Sequence, residues 1–450
     1  MDMDRLRSRL APAARTSVLR WSAGVMGTAV LLIAVMAQPA VAATLCVNRH
    51  GTKGCSSSIN AALAAAAAGD TIRVASGTYK EYVTVTRPVS LVGQSRDTTI
   101  IDASKQPFGI NVDGYDNPGL SGVVISGFTI ENADNAGIVV SNASDVTIED
   151  NRVTKNDQGF VPGTNPTCPT LNSFPYFFGE AMDCGEGVFF SGVDHSTIAA
   201  NIVVGNAGGL LIADDTGATH DNLISGNTVV HNALDCGVTI PSHGTAGVFH
   251  NTVTDNDVSY NGAAGVGIYA PGPGSKAYAN LVIHNELTGN GIPGVVMHNH
   301  AAPGVDGVPA GAPAVMFNDN VIVGNDISGN SADTADAATA GPTGINVFSL
   351  APITGTVISQ NWIHDEQLDI VVNVPASGMV PVAEIHLNNL LGKMVGVQDI
   401  TSAEVDATEN WWGCANGPGS AGCSSVSGSE IMFAPWLTQP FGQLDDHHSY

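Results

Sequence analysis

Ile224-Ser225-Gly226-Asn227-Thr228-Val229-Val230-His231-Asn232, Val253-Thr254-Asp255-Asn256-Asp257-Val258-Ser259-Tyr260-Asn261 and Val282-Ile283-His284-Asn285-Glu286-Leu287-Thr288-Gly289-Asn290 are one phrase written three times, 29 residues apart. Its kernel is an apolar residue, two spacers, Asn, one spacer and a second apolar residue. The kernel also surrounds Asn151, Asn201, Asn325 and Asn361, with Phe128 in the Asn position of the first copy. In six copies a second Asn follows five residues later: Asn156, Asn206, Asn232, Asn261, Asn290 and Asn330. The spacing between copies has a floor of 23 residues and a variable excess, as expected of fixed coils carrying insertions. Short β-branched triplets at such a period indicate a solenoid of strands, since helical repeats need longer units and 3.6-residue apolar spacing. Identical asparagines stacked at a solenoid turn hydrogen-bond along the axis, so these residues read as structural.

Working outward, residues 1–43 read as a secretory signal peptide. Arg5, Arg7, Arg9, Arg15 and Arg20 precede the apolar run Val25 to Ala37, and Ala40-Val41-Ala42 offers a small-residue cleavage site. The apolar run is short for a span, and no later segment is long and apolar enough to cross a bilayer. A secreted product, extracellular or periplasmic, is expected. Without that segment the 16 Lys+Arg and 41 Asp+Glu fall to 11 and 39, a net charge of −28. Such a surface repels nucleic acid and anionic membranes, and disfavours long anionic polymers unless a cation bridges them. Seven cysteines in an exported chain point to disulfides, and spacing proposes Cys46–Cys55, Cys168–Cys184 and Cys414–Cys423, leaving Cys236 as a small buried residue.

Residues 44–101 form an N-terminal cap and first coils: a compact helix from Ser58 to Ala68 stopped by Gly69, then strands around Thr71–Val74, Tyr82–Val85 and Val89–Gly93. The string Gly69-Asp70-Thr71-Ile72-Arg73-Val74 with Gly77-Thr78-Tyr79 resembles the opening of right-handed parallel β-helix proteins of the pectate-lyase-like superfamily. At the far end Asn410-Trp411-Trp412-Gly413, Gly417-Pro418 and Ala434-Pro435-Trp436-Leu437 resemble the closing segment of secreted β-helix repeat proteins, with the tryptophans packed over the last coil. The resemblance implies an all-β, single-stranded right-handed parallel β-helix with a short N-terminal capping helix. Coils would fill 102–409 and a C-terminal cap and tail 410–450. It implies polysaccharide processing too, although this fold carries lyases, hydrolases, epimerases and non-enzymes alike.

Each coil also holds a Gly before an apolar strand: Gly137, Gly187, Gly209, Gly237, Gly265, Gly294 and Gly344. Counted from that Gly, the later coils gain their extra length after the strand, so the insertions should gather at one corner. Successive coils stack about 4.8 Å apart, and loops at one corner then build one cluster. Its residues are Asp214, Asp215, His220 and Asp221, then His243 and His250, then Lys276, then His298, Asn299 and His300. Asp215, His243 and His300 stand six residues past their glycines; Asp214, Ser242 and Asn299 stand five past. Acidic pairs beside histidines suit general acid/base work, so the candidate catalytic residues are Asp214, Asp215, His220, Asp221, Asp235, His243 and His300. Asn299, Lys276, Tyr176 and Phe177 are candidates for binding substrate, the last two in an aromatic insertion that suits a groove wall or a hydrophobic lid.

Three chemistries compete. Inverting hydrolysis needs two carboxyls roughly 6.5–9.5 Å apart, which Asp214 or Asp215 with Asp221 or Asp235 would supply. A lyase or epimerase would use His243 as base, with Ca²⁺ on Asp214, Asp215, Asp221 or His298 neutralising the substrate. A transition-metal site would need His220, His243, His298 and His300 to meet at a point. The expectation is a monomeric, secreted enzyme acting on a polysaccharide. The alternative is a non-catalytic carbohydrate-binding or structural surface β-helix, which would show a flat face of exposed aromatics.

Overall fold

Each repeat phrase splits at its Asn into two short strands. Leu223–Ser225 and Thr228–Val230 flank Gly226-Asn227, and Thr252–Thr254 and Asp257–Ser259 flank Asp255-Asn256. The residue before the Asn takes a left-handed conformation, with φ of 62° at Gly226, 56° at Asp255 and 54° at His284. A corner of two residues is thereby turned without breaking either strand. The computed structural model describes residues 42–159, 185–305, 307–335, 339–351, 353–375, 382–401 and 403–442. In these the strands before the Asn form sheet A, those after it sheet B, and the Gly-led strands sheet C, with 14, 11 and 12 strands. All paired strands are parallel and each pairs with its counterpart one coil away, as Thr197↔Leu223↔Thr252↔Leu281 shows for sheet A. The core is the stack of inward residues, such as Ile224, Val253, Val282 and Ile322, all with 0% exposure. The chain is a right-handed parallel β-helix with a short capping helix, Ile59–Ala65, over its first coils.

The asparagines form ladders. Asn227 Oδ1 accepts from the backbone N and the Nδ2 of Asn201 at 2.9 and 3.0 Å. Its own Nδ2 donates to Asn256 Oδ1 and Ile198 O, both at 2.9 Å. This pattern runs unbroken from Asn151 to Asn410 at the A–B corner and from Asn156 to Asn330 at the B–C corner. A third ladder, Ser196, Asn222, Asn251, Asn280 and Asn320, occupies the C–A corner. The glycine leading each sheet C strand makes room for the second ladder. A Cβ on Gly237 would stand 2.7 Å from Asn261 Nδ2, and one on Gly294 2.9 Å from Asn330 Nδ2, where no Cβ fits.

Insertions are not confined to one corner. The loops after sheet C strands do gather at the C–A corner, where a small sheet D (Thr219–His220, Val248–Phe249, Ala277–Tyr278) crosses them. The segments between Asn156 and Gly185 and between Asn330 and Thr343 enter at the B–C corner instead, because counting from each glycine cannot see length added before it. Ser58 caps the helix by accepting from Ala61 N at 3.2 Å, and Glu81 accepts from Ile59 N and Asn60 N, satisfying the helix N-terminus. Disulfides Cys46–Cys55 and Cys414–Cys423 are present; Cys168–Cys184 lies outside the described residues, as do residues 1–41. Trp412 is fully buried under the closing segment, and Trp436 donates to Ala415 O at 3.2 Å. No described helix is long and apolar enough to cross a membrane.

The second ladder ends in a carboxyl group. Glu366 Oε1 accepts from Asn330 N and Nδ2 at 2.9 and 3.0 Å, and Asp369 lies buried nearby, accepting from Gly392 N at 2.9 Å. Burial pushes Glu366 up to about 7 from 4.5, and burial followed by repulsion from Glu366 pushes Asp369 up as well. The folded chain holds the Glu366 proton where the unfolded chain releases it. This contribution to stability is therefore complete below about pH 4.5 and lost as pH rises through 7, worth up to about 3 kcal/mol. Glu366→Gln should flatten the fall in melting temperature between pH 5 and pH 8 seen in the parent; parallel pH profiles for the two proteins would sink this assignment.

Candidate functional site

Residues five past the leading glycine turn into the loop cluster and hold it together. Asp214 is 3% exposed and accepts from Ser242 Oγ (3.0 Å), Gly244 N (2.9 Å) and Gly247 N (2.7 Å). Ser242 Oγ in turn accepts from Lys276 N at 2.8 Å, so one carboxylate and one hydroxyl tie three consecutive loops. Asn299, at the same register, donates to Ala270 O at 2.9 Å and accepts from Ser349 Oγ at 3.3 Å. Both candidates are engaged by protein groups, and neither Asp214 as a catalytic acid nor Asn299 as a substrate ligand fits this arrangement.

Residues six past the glycine point the other way. His243 Nδ1 lies 2.9 Å from Asp215 Oδ1, the Asp215 side chain 1% and the His243 side chain 10% exposed. The second carboxylate oxygen, Asp215 Oδ2, is buried with no hydrogen-bond partner. A buried carboxylate holding Nδ1 as the donor leaves the neutral ring its lone pair on Nε2 and stabilises the imidazolium formed on protonation. Adjacent coils supply the two members, so the 4.8 Å rung spacing sets their separation.

His300, the third residue of that register, packs elsewhere. Its ring centre is 5.2 Å from Phe348 and 5.6 Å from His298. His298 is 1% exposed, lies 3.6 Å from Asp333 Oδ2 through Nε2, and meets the Tyr269 ring edge-on at 5.7 Å. Tyr269 reaches back along the strand to place its hydroxyl 3.4 Å from Cys236 Sγ. Burial pushes the Cys236 thiol and the Tyr269 phenol well up, so both stay protonated and Cys236 is not a thiolate nucleophile.

Asp235 is not brought to the loop cluster. It precedes the sheet C strand that His243 follows, accepting from Cys236 N at 2.7 Å, and roughly 20 Å of extended chain separates it from the Asp214 end. That rules out the 6.5–9.5 Å carboxyl pair with Asp214 or Asp215. His220 and Asp221 sit on and beside sheet D: Asp221 pairs with His220 at 2.8 Å and His250 at 3.6 Å, and the His220 ring stacks on Phe249 at 4.8 Å. Lys276 enters the cluster through its backbone. Tyr176 and Phe177 lie outside the described residues.

The histidines do not meet at a point, and among the described residues no three His, Cys, Asp or Glu side chains converge as a metal-binding set. Asp214 is saturated by protein donors, which leaves Asp215 Oδ2 as the unengaged carboxylate oxygen of the Asp214-Asp215 loop.

The outer face of sheet C carries polar residues that the repeat pattern hid. Asn111, Ser141, Thr239 and Asn346 are each at most 5% exposed and each keeps a buried polar atom with no hydrogen-bond partner. Asn111, Thr239 and Asn346 stand two residues past their glycines, and Tyr269 and His298 four past, an alternation of period two that could have revealed this row. Tyr269 and Asp333 are the residues near the candidate histidines that sequence reasoning missed.

The family pattern for the right handed beta helix region matches residues 94–308. No curated protein matches the sequence. Among solved structures, the Dettilon tailspike protein is similar over 81% of this chain at 13% identity and a TM-score of 0.50. The chain spans 62% of the tailspike's length. The A-module of a mannuronan C-5 epimerase from Azotobacter vinelandii is similar over 85% of this chain and 94% of its own, at 14% identity and a TM-score of 0.49. An alginate lyase from Paenibacillus covers 86% of this chain and 99% of its own at 12% identity and a TM-score of 0.43. At these identities the likeness is one of fold.

Because Asp214 accepts three hydrogen bonds under near-complete burial, Asp214→Ala orphans two backbone N–H groups and a hydroxyl. The expected cost is about 3 kcal/mol or more, read as a lower midpoint in urea. A midpoint equal to the parent's would remove the structural role given to Asp214.

Proposed function

We propose that this right-handed parallel β-helix protein is a secreted polysaccharide-processing enzyme whose proton-transfer residue is His243, oriented by Asp215. The observation that carries the reading is the buried Asp215–His243 pair at 2.9 Å, held at the rim of the loop cluster by adjacent coils. A buried aspartate on Nδ1 has no evident role in stacking coils, since the ladders and Asp214 already do that. It is the arrangement a base needs: fixed tautomer, fixed ring plane and a nearby charge for the imidazolium.

A polymeric substrate is supported by shape. The twelve strands of sheet C stack to about 50 Å, and the loops that follow them recur at the C–A corner on successive coils along that length. A small molecule would need one pocket, whereas a linear glycan can use several rungs at once. The sequence charge of −25 argues against nucleic acid as the polymer. In the step assigned to His243, Nε2 takes a proton from the sugar or from an attacking water, and Asp215 offsets the charge that appears on the ring. Removal of a sugar C–H proton, as in elimination or epimerisation, suits a histidine base better than the paired-carboxyl hydrolysis, because Asp214 is bound by loop donors, Asp235 lies beyond the strand and Asp221 is paired with His220 and His250.

A binding protein without catalysis would present aromatic faces. Sheet D carries a column of His220, Phe249 and Tyr278, but their rings lie against one another at 4.8 and 4.9 Å, nearly parallel. Their faces are covered and mainly edges look outward, which a sugar ring cannot stack upon.

The test is product formation by the mature protein on neutral and acidic glycans, beside His243→Gln and Asp215→Asn. Both variants should melt near the parent's temperature and lose about 100-fold or more in rate. Unchanged rates in either variant would remove the dyad, and no product from the parent on any glycan would favour the binding reading.

A further inference from the structure

Basic residues are unevenly placed along the chain. Arg49, Lys53, Arg73, Lys80, Arg87, Arg96 and Lys105 fall within residues 44–105, against only Asp70, Glu81, Asp97 and Asp102. Beyond residue 105 the only basic residues are Arg152, Lys155, Lys276 and Lys393. Within residues 44–450 the capping end is therefore the one stretch where basic residues outnumber acidic ones.

Three of these groups are engaged locally, two of them in ion pairs. Lys80 pairs with Asp102 at 3.7 Å, Arg96 with Asp150 at 2.9 Å, and Arg87 donates to Ala66 O at 2.7 Å. Arg49, Lys53 and Arg73 make no ion pair with any described residue. Of the three, Arg73 lines a cleft of about 510 Å³ together with Cys46, Asn48, Cys55, Val92 and Gln94 among others, with no carboxylate in its wall. Arg73 is the outward residue of its sheet A strand, in register between Cys46 and Val92, so its stem lies on apolar neighbours and its guanidinium stays available. Gln94 Oε1 accepts from Ser76 N at 3.1 Å, which leaves its Nε2 as a second donor. The Cys46–Cys55 disulfide closes the loop that carries Asn48, Arg49 and Lys53 and fixes one wall.

We propose that this cleft is an anion-binding site that takes the carboxylate of an acidic sugar, with Arg73 as the charged contact and Gln94 as a second donor. The cleft's volume suits a mono- or disaccharide. A planar guanidinium pairs with a carboxylate through two parallel hydrogen bonds, and the apolar wall suits the C–H face of a sugar ring. The rest of the chain repels a polyanion, so an acidic glycan engages the protein here by an end or a single residue. The sugar identity rests on the polysaccharide reading above; the anion site does not.

The experiment is calorimetric titration of the mature protein with digalacturonate, cellobiose and inorganic phosphate, beside Arg73→Gln, Gln94→Ala and His243→Gln. Digalacturonate should bind at about 0.02 M salt, weaken markedly at about 0.2 M, and weaken about tenfold or more in Arg73→Gln. Gln94→Ala should weaken it less, His243→Gln should leave it unchanged, and cellobiose should give no heat. Equal binding by Arg73→Gln, equal binding of cellobiose, or no binding of digalacturonate would overturn the site. Displacement of digalacturonate by an equal concentration of phosphate would overturn its assignment to a sugar carboxylate. Binding that persists in a protein inactive on every glycan would count against the dyad alone.

Discussion

Everything in this molecule depends on one interaction repeated at each corner: an asparagine amide that accepts from the coil before it and donates to the coil after it. A parallel coil must turn sharply three times, and each turn withdraws backbone groups from the sheets. The ladder asparagine satisfies those groups while staying at most a few per cent exposed. Its requirements propagate. The residue before it must accept a positive φ, and the facing strand must begin with glycine so that Nδ2 has room, as at Gly237 and Gly294. The repeat phrase is the set of side chains that this hydrogen bond permits.

Rigid corners explain why a site can be assembled from loops. Asp214 and Ser242 fasten three consecutive loops to one another and leave the residue after each of them, Asp215 and His243, free to meet at a fixed spacing. Asp215 and His243 meet because their coils are neighbours and their registers match. His300 shares the register but follows a different loop and finds Phe348 instead. Side-chain parity of one residue separates the fastening row from the row of the pair.

The two ladders announced by Asn-x4-Asn, the cap around Thr71–Val74, the closing tryptophans and two disulfides were legible because each is local or strictly periodic. The third ladder was equally periodic, five residues before the first, as Asn222, Asn251, Asn280 and Asn320 show. It escaped notice because loops of unequal length precede it and serine or valine replaces asparagine in early coils. The candidate site was legible only as a neighbourhood. Nothing in the string Asp214-Asp215 tells which carboxylate accepts three hydrogen bonds from neighbouring loops and which meets a histidine. Asp235 looked equivalent to them because sequence distance hides that a sheet C strand lies between. Insertions ahead of the glycine, before Gly185 and Thr343, were invisible to a count that began at the glycine.

The ladders also have a direction. Every side-chain carbonyl points toward the N-terminal coil and every Nδ2 hands a hydrogen to the next, so the aligned amide dipoles add along the axis as peptide dipoles add along a helix. At the B–C corner the positive pole of this column is where Glu366 stands, a group that only accepts when ionised. Coils of the repeating kind can be added or removed in the middle of such a column without disturbing its logic, because each rung presents the same two faces. Its last member cannot be exchanged so freely, since it alone closes the circuit. The solenoid's length is thus open to variation, while its ends are chemically fixed.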